Sequence, residues 1–401
     1  MEDLLDELAQ LVDTAGGVEI SRIVQERERP TPAYFIGQGK AEYIAQICEQ
    51  LDIAVVVFDD ELTPVQQRNL EKITGCKVID RTGVILDIFA QRAHTREGKL
   101  QVELAQLNYL LPRLTGKGIL LSRLGGGIGT RGPGETKLEA DRRRIYQRIA
   151  KIKHDLEEVR QHRQLHRSNR QSIPLPTVAL VGYTNSGKST LLNALTQAGV
   201  LAEDKLFATL DPTTRRVTLP NKQTVLFTDT VGFIRKLPHQ LIEAFKATLE
   251  EVAGADILLH VIDAAQLNVE EQVAAVNSLL AELGLQDKPA ISVLNKIDAL
   301  ENENLARCVK RMVHGDIAIS AIRGDHIPEL LKLVSERLNL PLTRIALNLP
   351  YSGQHLMSLL RQRGRILRAE YLNDYILVEA EVDYKTAAIV DSRLKELAPV
   401  H

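Results

Sequence analysis

The stretch Thr177-Val-Ala-Leu-Val181 followed by Gly182-Tyr-Thr-Asn-Ser-Gly187-Lys188-Ser189 decides the fold. The first part is apolar and largely β-branched, the composition of a buried strand. The second has the form GxxxxGKS, and Thr190-Leu-Leu-Asn-Ala-Leu195 continues it as an amphipathic helix. Strand, glycine loop and helix in that order gather backbone N–H groups and the positive end of a helix around a phosphate. In that frame Lys188 bridges the outer phosphates and the Ser189 hydroxyl takes a magnesium position. Tyr183, Thr184, Asn185, Ser186 and Thr190 complete the expected cradle. Asn185 has two readings of equal weight, a loop residue that tolerates a turn and a contact for a monovalent cation, K+, near the phosphates.

Working outward, Asp229-Thr230-Val231-Gly232 closes the apolar run Thr224 to Thr228. A carboxylate at a strand end can hold magnesium through water, and the Gly232 amide can reach a γ-phosphate. Asn295-Lys296-Ile297-Asp298 ends another apolar run. Its carboxylate can accept the two N–H groups that guanine presents and adenine does not, which selects guanine. Ser320-Ala321-Ile322, after a further run, can close over the base with backbone amides. Between loop and DTVG lies Leu206-Phe207-Ala208-Thr209-Leu210-Asp211, continued by Pro-Thr213-Thr214-Arg-Arg216. A threonine here is expected to close on magnesium and γ-phosphate; Thr209 is preferred, with Thr213 and Thr214 as competitors. Lys188, Thr209 and Gly232 are the catalytic candidates. Phe233 follows DTVG where some GTPases place a water-orienting glutamine, so slow intrinsic hydrolysis, stimulated by a partner, is expected.

The fold class follows as α/β: a P-loop GTPase doubly wound sheet, with strands Thr177–Val181, Thr224–Thr228, Ile257–Asp263, Ala290–Leu294 and Ile317–Ser320 alternating with helices. At 401 residues the chain exceeds one core. Residues 1–96 read as an N-terminal α/β domain, with strands at Val18–Val24, Ala54–Phe58 and Val78–Ile79 between helical patterns. Residues 97–171 read as a helical hairpin, its seams Leu100, Leu104, Leu107, Leu111 and Ile145, Ile149, Ile152, Leu156, Val159, with a glycine-rich loop over 115–136 at its tip. Residues 172–340 are the expected GTP-binding domain, opened by the stiff Ser172-Ile-Pro-Leu-Pro176. Residues 341–401 read as a small α+β domain in the order strand, helix, two strands, helix.

Hydrophobic residues make up 44% and charged residues 25%, which excludes a largely disordered chain. Cys48, Cys76 and Cys308 lie far apart without ligand spacing, which supports neither a disulfide framework nor a zinc site and fits a reducing cytoplasm. No stretch approaches a membrane span. The formal charge of -2 hides a local excess, ten Lys or Arg against three acids between Arg142 and Arg170. Arg123, Arg131, Arg142, Arg143, Arg144 and Arg148 are candidates for contacts to RNA phosphates. A solvated helix face is the competing reading.

Gly126-Gly-Ile-Gly-Thr-Arg-Gly-Pro-Gly-Glu-Thr-Lys-Leu-Glu139, Phe207-Ala-Thr-Leu-Asp211 and DTVGFIRKLP over Asp229 to Pro238 together resemble HflX-type GTPases of the translation-factor-related P-loop class. The resemblance spans the chain. It implies GTP and GDP as ligands, Mg2+ held by Ser189 and Thr209, and a hydrophobic residue at Phe233. Apart from the resemblance, a monomeric, cytoplasmic protein is expected, with peripheral membrane association left open. Its implied partner is the large ribosomal subunit and its RNA, and its implied role ribosome splitting or rescue. A GTP-gated ribosome-assembly factor is the alternative.

Overall fold

A computed structural model describes residues 2–114, 137–170, 175–196, 206–207, 209–236, 238, 246–338, 343–372, 374–382 and 384–397. The chain divides into two compact units. The first comprises residues 1–165, 203–211 and 236–247; the second comprises 166–202, 212–235 and 248–401.

In the first unit, α1 (Glu2–Thr14) and α2 (Gln38–Gln50) precede β1 (Val55–Phe58), α3 (Pro64–Thr74), β2 (Lys77–Asp80), α4 (Arg81–Arg92) and α5 (Arg96–Leu110). Local sequence sets these limits. Thr63 and Gln66 form a capping box, Pro64 occupies the first turn of α3, and Gly75 ends the helix at φ 70°. β1 and β2 pair in parallel from Val55↔Lys77 to Phe58↔Asp80, over a core of Ala41, Leu62, Leu70 and Val78. Asp80, fully buried, accepts bonds from Leu62 N, Tyr109 Oη and Arg113 Nη2, so its charge is both hydrogen-bonded and paired. The long helix α6 (Lys137–Arg170) follows. Leu104, Ile149 and Ile152 join Leu100, Leu107, Leu111, Ile145 and Leu156 in one cluster, which holds the residues read as the two seams except Val159. The loop over 115–136, with Arg123 and Arg131, lies outside the described residues.

One expected strand is corrected. Among the described residues Val18–Val24 forms no ladder; Val18 is 81% and Ile20 60% exposed. The Gly17 amide bonds back to Val12 O at the end of α1, and Arg22 pairs with Asp6 and Glu19. Alternating β-branched residues favour extended backbone, but a strand exists only where a neighbour supplies partners in register. Local bonds to α1 take their place here. Helix α1 itself went unread, since its acidic polar face obscured Leu8 and Leu11, which are buried.

The second unit runs β3 (Thr177–Val181), α7 (Lys188–Thr196), β4 (Thr213–Thr218), β5 (Thr224–Asp229), α8 (Lys246–Gly254), β6 (Ile257–Asp263), α9 (Val269–Glu282), β7 (Ala290–Asn295), α10 (Glu303–Met312), β8 (Ile317–Ala318) and α11 (Ile327–Leu338). The sheet order is β4-β5-β3-β6-β7-β8, parallel except for β4. Val178, Leu180, Leu259, Val261, Ile291 and Val293 fill its centre; β6 is buried along its whole length, as parallel strands covered on both faces are. β4 occupies the stretch read as loop beyond Asp211. Its antiparallel register sets Thr213 opposite Asp229 and Thr214 opposite Thr228. The C-terminal part follows the expected order: β9 (Thr343–Pro350), α12 (Gln354–Arg363), β10 (Gly364–Tyr371), β11 (Tyr375–Val382) and α13 (Tyr384–Leu397). Its sheet order is β10-β11-β9, antiparallel throughout.

Candidate functional site

The site of the second unit lies at the C-terminal ends of β3, β5, β6 and β7, where parallel α/β sheets present ligands to the following loops. Gly182 leaves β3 at φ 153°, and a Cβ there would stand 2.2 Å from Val261 O. Gly187 stands at φ 89°, and its Cβ would meet Asn295 Nδ2 at 2.2 Å. Both glycines are therefore required by backbone angle and by space. The loop between them leads into the N-terminus of α7, the end of a helix that favours a phosphate.

Lys188, buried, donates to Gly182 O at 3.2 Å and Tyr183 O at 2.7 Å. Burial, with a smaller contribution from Lys296 and against the pull of Asp229, lowers its pKa to about 8. Among the described residues, Thr184 Oγ1 and Ser186 Oγ are buried without a hydrogen-bond partner. Buried hydroxyls are rarely left so, and both belong to the expected cradle. The Ser189 hydroxyl donates to Asp229 Oδ2 at 2.6 Å. A hydroxyl beside a carboxylate is a hard oxygen donor set of the kind that suits Mg2+ keeping several waters.

The DTVG segment returns to the loop through its backbone. Thr184 N donates to Phe233 O at 2.7 Å, and Phe233 N to Gly182 O at 3.0 Å. Thr230 Oγ1 donates to Leu180 O at 2.5 Å. A Cβ on Gly232 would stand 2.7 Å from Thr184 Cα, so only glycine fits against the Thr184 backbone, and it would come within 3.1 Å of Lys188 Nζ. Phe233 is buried. The Tyr183 hydroxyl accepts from Arg235 N at 2.9 Å, a brace that no sequence pattern announced.

At the corner expected to select guanine, Asn295 is a structural tie. Its Nδ2 donates to Ser186 O at 3.0 Å and its Oδ1 accepts from Ala321 N at 3.0 Å, so it joins the phosphate loop to the Ser320 loop. Lys296, at φ 63°, pairs with Asp263 at 2.9 Å. Asp298 Oδ1 accepts from Ser320 Oγ at 2.5 Å and remains half-exposed, with a second oxygen for a ligand. Ile297 is half-buried on a short helical turn, and Ile322 is 73% exposed. Among the competitors for magnesium, Thr214 Oγ1 is spent on Thr228 Oγ1 at 2.9 Å. Phe207, Thr209, Leu210 and Asp211 belong to the first unit, and Ala208 lies outside the described residues.

Of the basic candidates on α6, Arg148 makes two bonds of 2.6 Å to the Glu103 carboxylate. Arg144 is 77% exposed, within 3.7 Å of Asp141. Arg142 is half-buried and Arg143 exposed.

Residues 2–90 match the family described as GTP-binding GTPase N-terminal, 92–170 its middle region, and 177–296 that described as 50S ribosome-binding GTPase. The chain is 52% identical to GTPase HflX of Lacrimispora saccharolytica over 94% of its own length and 89% of the relative's. It is 50% identical to GTPase HflX of Escherichia coli, over 87% and 82%. This chain belongs to the HflX GTPase family. It binds guanine nucleotides and hydrolyses GTP. Among solved structures it is similar to a GTP-binding protein from Sulfolobus solfataricus in complex with GDP, with a TM-score of 0.45, 25% identity, and coverage of 84% and 96%. Among the described residues, no helix is long and apolar enough to cross a membrane.

Proposed function

We propose that this HflX-family GTPase binds the large ribosomal subunit in a nucleotide-dependent manner in the cytoplasm and splits or rescues ribosomes. Support comes from the family match over 177–296, described as 50S ribosome-binding, and from the exposed basic residues of α6, which suit RNA phosphates. In this reading Lys188 and the loop amides hold the phosphates, and Asp298 reads guanine. Ser189 and Thr209 hold magnesium, and Gly232 donates its amide to the γ-phosphate. Bound magnesium would neutralise charge on the β- and γ-phosphates. Phe233 offers no group to orient water, so turnover by the chain alone is slow and a partner completes the site. Asn185, at φ 60°, takes a conformation that asparagine tolerates; exchanging K+ for Na+ in the turnover assay tests its role with a cation.

The test is GTP turnover with and without purified large subunits, alongside Lys188→Ala and a deletion of Gly125 to Gly134. Stimulation that the deletion abolishes while nucleotide affinity survives supports the reading. No stimulation leaves the GTPase and removes the ribosomal role. Binding confined to immature subunits would favour the assembly factor.

A further inference from the structure

Two cysteines that lie apart in the sequence meet inside the first unit. Cys48 stands in the last turn of α2 and is 4% exposed. Past that helix the chain turns at Asp52, φ 50°, and Ile53 N donates back to Cys48 O at 3.0 Å. β1 then begins at Val55, paired in parallel with Lys77 of β2. Cys76 lies between Lys77 and Gly75, which ends α3 at φ 70°. Its Sγ donates to Ile53 O at 3.0 Å, where the two strands start. Ile53 is therefore bonded to Cys48 through its N–H and to Cys76 through its carbonyl, and this brings the two thiols beside each other. Burial, and after it the contact with the Cys76 thiol, pushes the pKa of the Cys48 thiol up to about 11. Cys76 is half-buried, so a small oxidant reaches its sulfur before that of Cys48.

A disulfide needs its sulfurs about 2 Å apart, and a close-packed interior would resist the adjustment. Here there is room for it. Ile44, Ile47, Cys48 and Leu51, on α2 and at its end, line a cavity of about 880 Å³ with Leu8 and Val12 of α1. The end of α2 can shift into that space without displacing packed side chains.

We propose that Cys48 and Cys76 are a redox-modifiable pair, closed to a disulfide by hydrogen peroxide and reopened by a dithiol. The Cys76 sulfur, as thiolate, attacks one peroxide oxygen; the O–O bond breaks, the other oxygen leaves as water with the thiol's proton, and Cys76 becomes a sulfenic acid. The Cys48 sulfur then attacks the Cys76 sulfur; the S–O bond breaks, and the hydroxide leaves with the Cys48 proton as a second water. The two thiols have lost two electrons and two hydrogens, which the peroxide has gained. A thiol held protonated attacks slowly, so the second step limits closure. Under reducing conditions the pair stands open. Closed, it ties the end of α2 covalently to the start of β2.

The experiment uses the full chain with the exposed Cys308 replaced, Cys308→Ser, so that only these two thiols are counted. The protein is treated with hydrogen peroxide, unfolded and alkylated. Both thiols are expected to disappear together, the chain to lose about 2 Da, and a non-reducing digest to yield a peptide joining Cys48 to Cys76; dithiothreitol restores both thiols. Cys48→Ser in the same background isolates the first step, because the sulfenic acid on Cys76 then has no thiol to close on. Dimedone labelling of Cys76 is expected to exceed that of the parent. Thiols that survive, a link formed only between chains, or Cys76 oxidised beyond the sulfenic acid while Cys48 stays free would each overturn the pair. The link is mapped with both cysteines in place, so this result does not depend on how well Cys48→Ser folds.

Discussion

Raising the pH from 7 to 9 should weaken nucleotide binding about tenfold through Lys188 alone. Burial holds this ammonium at a pKa of about 8, so its protonated fraction falls from about nine-tenths at pH 7 to about one-tenth at pH 9. Phosphate beside Nζ favours the charged form, and binding to the neutral lysine must include uptake of a proton. The apparent Kd therefore scales with one plus the ratio of neutral to charged lysine, giving about a tenfold rise over these two pH units. A guanidinium keeps its charge throughout, so Lys188→Arg is expected to bind more weakly but with a flat profile. Fluorescent GDP titrated at half-unit intervals measures both curves; ionisation of the guanine is common to both and cancels in their ratio. A ratio independent of pH would refute the reasoning, because it would mean that Lys188 stays charged despite its burial.

Asp298→Asn replaces an acceptor oxygen with a donor facing the guanine N–H groups. GTP affinity should fall by about 3 kcal/mol while xanthosine triphosphate, with a carbonyl at that edge, gains; competition binding checks both. Gly187→Ala must resolve a Cβ 2.2 Å from Asn295 Nδ2 at φ 89°, so a loss of about 2–4 kcal/mol in denaturant unfolding is expected, together with loss of nucleotide. His260 is buried, and burial, then Lys188, lowers its pKa from 6.5 to about 4. Between those values the unfolded chain takes up a proton that the folded chain refuses. Stability is whole above pH 6.5 and falls by about 3 kcal/mol as pH drops to 4; His260→Gln should remove that part of the acid slope in urea melts.

The nucleotide loop, DTVG, the guanine corner and the C-terminal order of strands and helices were legible because each is written in contiguous residues. A glycine spacing, an alternation of apolar residues or a carboxylate at a strand end carries its own geometry. The chemistry of a residue such as Asp298 likewise follows from its functional groups. Tertiary structure decided what depends on neighbours distant in sequence. Val18–Val24 has the composition of a strand and, among the described residues, no ladder, since register is a property of two segments. Thr214 became a strand residue bound to Thr228 when β4 paired with β5. Asp211, read as part of the nucleotide loop, instead places its carboxylate on His94 and Thr95. More than a hundred residues separate those partners along the chain. Sequence determines which groups can bond; the packed chain decides which of them meet, because a hydrogen bond forms only where folding has brought its donor and acceptor within reach.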